Sequence, residues 1–170
     1  MRYTRLPREQ RSALTARLAA MPDWLSERVR TCAPERLRVR PVAADPTAAL
    51  VPFSLLEHVW HLADLESEGF GSRIQRLRAA TDTRPLLPDF DGAAMAQARN
   101  YQSLDVEHGL SAFRAARTAN LAVLASLGAP EWAHSGTQEG IGAVTLCDLP
   151  LLMAEHDAAH RAELQDADPG

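Results

Sequence analysis

The sequence predicts an all-α fold, a bundle of four principal helices, and three observations carry that expectation. Apolar residues recur at steps of three and four in four separate stretches. Residues that favour strands are sparse: aromatics make up only 5% of the chain, and β-branched residues never alternate with polar ones over a useful length. Helix start and stop signals fall where the periodic stretches begin and end. At 170 residues, the chain is long enough to bury a core of its own as one domain spanning 1–170.

The first helix is expected over Arg8–Ala20, where Leu14, Leu18 and Met21 share a face. Pro22 should break it, because proline lacks the N–H that a helix interior needs. A short segment through "DWLSERVR" follows, and Thr31 to Pro52, with four prolines, reads as a long connection. Ser54 stands three residues before Glu57, the capping-box spacing that satisfies free N–H groups at a helix start. The helix it opens should run from Ser54 to Ala80, weakened in its middle by Gly69 and Gly71. A loop, "TDTRPLLPDFDG", leads to a short helix through "AAMAQARN". Asp105 to Leu127 is the next long helix, with Val106, Leu110, Phe113, Leu121 and Leu124 facing inward. Thr145 and Asp148 repeat the capping-box spacing and should open a final helix reaching Gln165. Pro150 would then fall just beyond its first turn and bend it.

Between the last two helices lies "GAPEWAHSGTQEGIGAV", a loop with four glycines. Loops of this length in compact domains often cover or contact a binding site, so Gly128 to Val144, with Trp132 and His134, is a candidate substrate or partner contact. Its base starts ~16 Å from the histidines of the final helix, so only a folded-back segment could reach them.

Charge and cysteine content exclude several classes. The net charge is −4 and no basic tract outweighs the acids, which argues against a nucleic-acid partner. All 18 basic residues are arginine. The two cysteines, Cys32 and Cys147, are far apart and give no disulfide framework. No apolar run approaches the ~20 residues of a membrane span, and the N-terminus has no secretory apolar core. A cytoplasmic protein without membrane partners is expected.

The chemistry is concentrated in histidines. Along the final helix, Leu146, Leu149, Met153, His156, His160 and Leu164 follow one another at steps of three and four. His156 and His160 therefore continue the core-facing stripe, and they sit one turn apart on one face. Two inward imidazoles need partners for their ring nitrogens, and one metal ion can serve both. The helix from Ser54 offers His58 and His61, and His61 shares a ridge with Leu65. Facing helices of a bundle can place ligands from both on one ion. His58 is a rival to His61 or a group behind it, and His108, beside Gly109, is expected on the surface. Asp157 lies about 100° around the helix from the ligand ridge, which points it to the surface or behind the ligands. Asp64, three residues after His61, is the candidate to orient that imidazole.

The segments "SLLEHVWHLADLE", "SRIQRL", "LPDFD" and "GAVTLCDLPLLMAEHDAAHRAEL", in that order over Ser54–Leu164, resemble the DinB/YfiT-like superfamily. "HLADLE" and "HDAAH" are the specific parts. The resemblance implies an up-down-down-up four-helix bundle with a three-histidine site for a divalent metal, its ligands His61, His156 and His160. Zinc or nickel are the first expectations for the ion, with iron or manganese also compatible. The resemblance further implies a metal-dependent enzyme acting on a small molecule, as a small-thiol S-transferase or a hydrolase. A non-catalytic metal-binding stress-response or ligand-sensing bundle is the alternative, and a homodimer is compatible with either. The sequence departs from the family where a glutamine often follows the last histidine; Glu163 stands there. The general acid or base stays open among Glu163, Asp64 and His134. Because metal ligands must be neutral imidazoles, metal affinity is expected to fall as pH drops through about 6.

Overall fold

The computed structural model of the chain describes residues 2–42, 52–81 and 83–166. Six α-helices occur among the described residues: α1 (Arg8–Thr31), α2 (Leu55–Asp64), α3 (Ser72–Ala79), α4 (Gly92–Arg99), α5 (Val106–Ser126) and α6 (Leu149–Asp166). A π-helical segment, Leu65–Gly71, joins α2 to α3 without a break. The four rods of the bundle are α1, the continuous run 55–79, α5 and α6.

Contacts at the rod ends fix their directions. The start of α1 meets the start of α6, where Tyr3 N–H donates to the Cys147 carbonyl at 3.1 Å. Their ends also meet, where Arg28 Nη2 donates to the Leu164 carbonyl at 3.0 Å. These two helices therefore run parallel. The start of α2 lies against the end of α6, since His58 and His160 nitrogens are 3.1 Å apart. It also lies beside the start of α5, where Trp60 Nε1 donates to the Asp105 carbonyl at 3.0 Å. The order is thus up-down-down-up. Two parallel neighbours in sequence require a crossover, and residues 80–105 supply it.

The expected all-α architecture holds, with a small sheet added. β1 (Leu86–Leu87) pairs in parallel with β2 (Ser135–Gln138), which pairs antiparallel with β3 (Gly142–Thr145). The glycine-rich loop expected over Gly128 to Val144 is therefore largely a hairpin. It grips the crossover, because Glu139 N–H donates to the Leu87 carbonyl and Asp89 N–H to the Glu139 carboxylate.

Three features differ from the sequence reading: the break at Pro22, the start of the last helix and the bend at Pro150. Pro22 does not break α1; it sits inside it. Proline leaves the carbonyl four residues back, that of Leu18, without its helical donor. Arg117 Nη1 from α5 donates to that oxygen at 2.9 Å. Thr145 and Asp148 close a turn ahead of α6, with the Asp148 carboxylate accepting from Thr145 N–H and Oγ1, each at 2.7 Å. Pro150 consequently falls in the first turn of α6, where the missing N–H has no partner to lose and imposes no bend. The Ser54 capping box forms as expected, with the Glu57 carboxylate accepting from Ser54 N–H at 2.9 Å. Burial raises the Glu57 pKa, but Arg40 and Ser54 hydrogen bonds outweigh it and bring the value down to about 2.

The core has two apolar clusters, one built on Leu18, Ile74, Leu77, Leu146 and Met153, the other on Met21, Val59, Leu62, Phe113 and Leu164. Between them lies a polar belt. Arg117, 2% exposed, makes a two-pronged pair with Asp157 at 2.7 and 2.9 Å and reaches Glu66 at 2.9 Å. Asn120 Nδ2 donates to the Glu66 carbonyl and carboxylate at 2.8 and 2.9 Å. The π segment carries Glu66 in this belt, and the absence of a side chain on Gly71 admits Asn120: a Cβ there would lie 3.2 Å from Asn120 Oδ1. Gly69 and Gly71 thus belong to a wider helical turn rather than to a weak spot. Of the two positions expected for Asp157, the surface or behind the ligands, the surface one is corrected: the residue is buried in an ion pair.

Candidate metal centre

α2 and α6 each present a pair of imidazoles to the space between them. His58 and His61 lie on α2, buried at 4% and 8% exposure, and His160 of α6 is 9% exposed. One potential ligand atom from each of His61, His156 and His160 lies within 4.8 Å of the others. The ring centres are 5.5 Å apart for His61 and His156, 4.9 Å for His61 and His160, and 4.3 Å for His156 and His160. His156 Nε2 and His160 Nε2 are separated by 3.1 Å.

Aromatic rings wall this cluster. Phe53 packs on both His58 and His61, Phe90 on His61 and Phe70 on His156, with centres 5.4 to 6.0 Å apart. Phe90 arrives on the crossover, and two residues later Gly92 closes on the His61 ring. A Cβ at Gly92 would lie 2.5 Å from His61 Cε1 and 2.6 Å from Nδ1. Gly92→Ala is therefore expected to displace the His61 ring, with a cost of about 1–3 kcal/mol for overpacking. Chemical denaturation and metal content of the variant check this; unchanged values for both would show that the ring moves aside freely.

The residues fit a metal ion on observations of their own. His61 Nδ1 is buried without a hydrogen-bond partner, a costly state for a polar atom. Burial favours the neutral imidazole that a ligand must be at His61 and His156. Burial, reinforced by neighbouring His160, pushes the His61 pKa down to about 3 and that of His156 to about 2. His58 is pushed down to about 4 by the same two causes. At His61 and His156 burial thus moves proton competition below the pH of about 6 expected from an ordinary imidazole.

The stability of the metal-free protein carries the same signature. Between pH 6.5 and about 4 the unfolded chain binds protons at these histidines that the folded chain does not, so stability rises with pH through that window. It is complete above pH 6.5 and lost as pH falls, with a slope of up to about 1.4 kcal/mol per pH unit for each histidine. Urea denaturation of metal-free protein at pH 7 and pH 4.5 measures it. Equal midpoints would contradict neutral burial.

The structure places the remaining candidates elsewhere. Asp64 does not orient His61: it accepts from Tyr101 Oη at 2.6 Å and Arg99 Nη1 at 2.5 Å, clamping the crossover to α2. His134 holds the hairpin on α3 through Nδ1, 3.0 Å from the Leu77 carbonyl. Sixteen residues of helix separate Leu77 from His61, about 24 Å, so His134 stands away from the cluster. His108 is exposed, with 84% of its side chain in solvent. Glu163 is the acid beside the cluster, its Oε2 2.8 Å from His160 Nδ1, and that contact lowers its pKa. Arg73 was not singled out in the sequence: it is 6% exposed and stacks over Phe70 at 5.7 Å. Its spacing of three from Phe70 on a helical run was the available signal.

Fold and cluster together define a class, the up-down-down-up four-helix bundle with histidines converging from its second and last rods. The chain belongs to the DinB superfamily, whose family profile matches residues 8–164. Its fold is similar to that of YfiT from Bacillus subtilis, with a TM-score of 0.80 at 17% identity over 95% of this chain and 87% of that one. That protein is described as a probable metal-dependent hydrolase with an unusual four-helix bundle topology. No curated relative matches by sequence. No helix among the described residues is long and apolar enough to cross a membrane.

Proposed function

We propose that the protein is a metal-dependent enzyme of hydrolase type acting on a small molecule, with His61, His156 and His160 holding one divalent ion. The observation that carries this reading is the convergence of three imidazoles within 4.8 Å behind a wall of phenyl rings. Three protein ligands leave room for water or substrate, the mark of a catalytic site. A divalent ion held there supplies Lewis-acid activation of a bound water or small thiol near neutral pH. Zinc or nickel suits an all-imidazole donor set.

The chain's own residues supply the rest. Phe53, Phe70 and Phe90 exclude bulk water from the imidazoles and offer apolar surface to a substrate. Gly92 and the crossover fix the His61 ring, and the Arg117–Asp157 pair fixes the rotation of α6 and with it His156 and His160. The similarity to YfiT favours hydrolysis, and transfer to a small thiol is the neighbouring reaction that the same activation serves.

The test is to strip the full chain of metal, reload it with zinc or nickel, and measure bound ion and turnover on activated esters, amides and thiol acceptors. One ion per chain in this centre with turnover that depends on it supports the reading. A bound ion with no turnover on any panel would favour the stress-response or ligand-sensing role. Absence of bound ion overturns it.

A further inference from the structure

We propose that His58, His160 and Glu163 form a second cation site, which shares the His160 ring with the three-histidine centre. The inference rests on the metal-centre reading above and extends it to two ions. His160 stands between two donor sets. On one edge of its ring, Nε2 lies 3.1 Å from His156 Nε2. On the opposite edge, Nδ1 lies 3.1 Å from His58 Nδ1 and 2.8 Å from Glu163 Oε2. One ligand atom from each of His58, His160 and Glu163 falls within 4.8 Å of the others.

An ordinary ligand histidine gives its second ring nitrogen to one hydrogen-bond acceptor. Here that nitrogen faces two groups. A single Nδ1 proton shared with Glu163 leaves the His58 nitrogen beside a donor already committed. A cation among the three satisfies all of them, and donors bound at ~2.0–2.2 Å to one ion stand roughly 3–3.5 Å apart. For His160 to donate through both nitrogens, its remaining ring proton leaves to solvent, and the ring becomes an imidazolate between two ions. The imidazolate's single negative charge is shared by the two ions, and the Glu163 carboxylate adds an anionic donor to the second.

The two sites differ in access. His58 is held beneath Phe53, their ring centres 5.7 Å apart, whereas 57% of the Glu163 side chain is exposed. The second ion therefore sits at the rim and exchanges more readily than the first. Two nitrogens and one carboxylate select borderline transition ions such as zinc, copper or nickel over magnesium or calcium.

The test uses the full chain, stripped of metal and equilibrated with zinc by dialysis. Two zinc ions per chain are expected, falling to one in Glu163→Gln and in His58→Phe; far-ultraviolet circular dichroism confirms folding. The exposed Glu163 makes its variant independent of packing. One ion per chain in the unaltered protein overturns the second site and leaves the proposed function standing; none overturns both. Copper(II) titration followed by electron paramagnetic resonance tests the shared ring. The second equivalent is expected to attenuate the signal of the first. Two independent signals of full intensity overturn the bridge.

Discussion

Replacing Asp157 with alanine is expected to destabilise the protein by about 3–5 kcal/mol, the typical cost of removing one partner of a buried ion pair. Arg117 is 2% exposed and Asp157 6%, so the guanidinium left behind cannot recover its hydration. Its Nη2 still meets Glu66, and burial with that partial pairing makes the loss one of fit as well as charge. Glu66 is itself held with a raised pKa, first by burial and only partly relieved by Arg117. Arg117→Met should be as costly for a second reason, since it also strips the donor from the Leu18 carbonyl that Pro22 leaves open. Equilibrium urea denaturation measures both. A loss below about 1 kcal/mol for either would mean that water enters the belt and that the ion pair is not dry.

The second large effect concerns metal retention. His156→Ala is expected to lower affinity by more than the 10–100-fold that outer partners typically contribute, because two imidazoles remain where three converged. His58→Ala should leave the ion of the three-histidine centre in place. Metal analysis after gel filtration distinguishes the two variants. If the His58 change empties that centre while His61→Ala does not, the ligand from α2 has been assigned to the wrong residue.

Much of the bundle was legible because its signals are local. The capping box at Ser54 needs only Glu57, three residues away, and the inward face of α5 is written in Leu110, Phe113 and Leu124. The stripe through Met153, His156, His160 and Leu164 is likewise a property of one helix, and it brought His156 and His160 into the cluster. What stayed hidden depends on partners distant in sequence. Pro22 reads as a break because its compensation is an arginine on α5. Asp157 reads as a residue of the surface or behind the ligands because its ridge alone says nothing of Arg117, which faces it from another rod. Asp64 has the spacing of a residue that orients His61, yet Arg99 and Tyr101 of the crossover claim it. The hairpin over Ser135–Thr145 was missed because its strands are short and rich in glycine and polar residues, so its pairing comes from the crossover rather than from β-propensity.

The parallel pairing of α1 with α6 sets the order of events when the chain is made. Arg28 and Leu164 are 136 residues apart, and both apolar clusters draw on both helices. At roughly 5–20 residues per second of synthesis, α1 waits some seconds to tens of seconds for the helix that completes its burial. During that interval Leu18, Met21 and Leu25 stand open to water, and the histidines of α2 have no opposite number. An apolar face left open for that long is a surface that chaperones can hold, and the histidines of α2 meet those of α6 only once α6 has emerged.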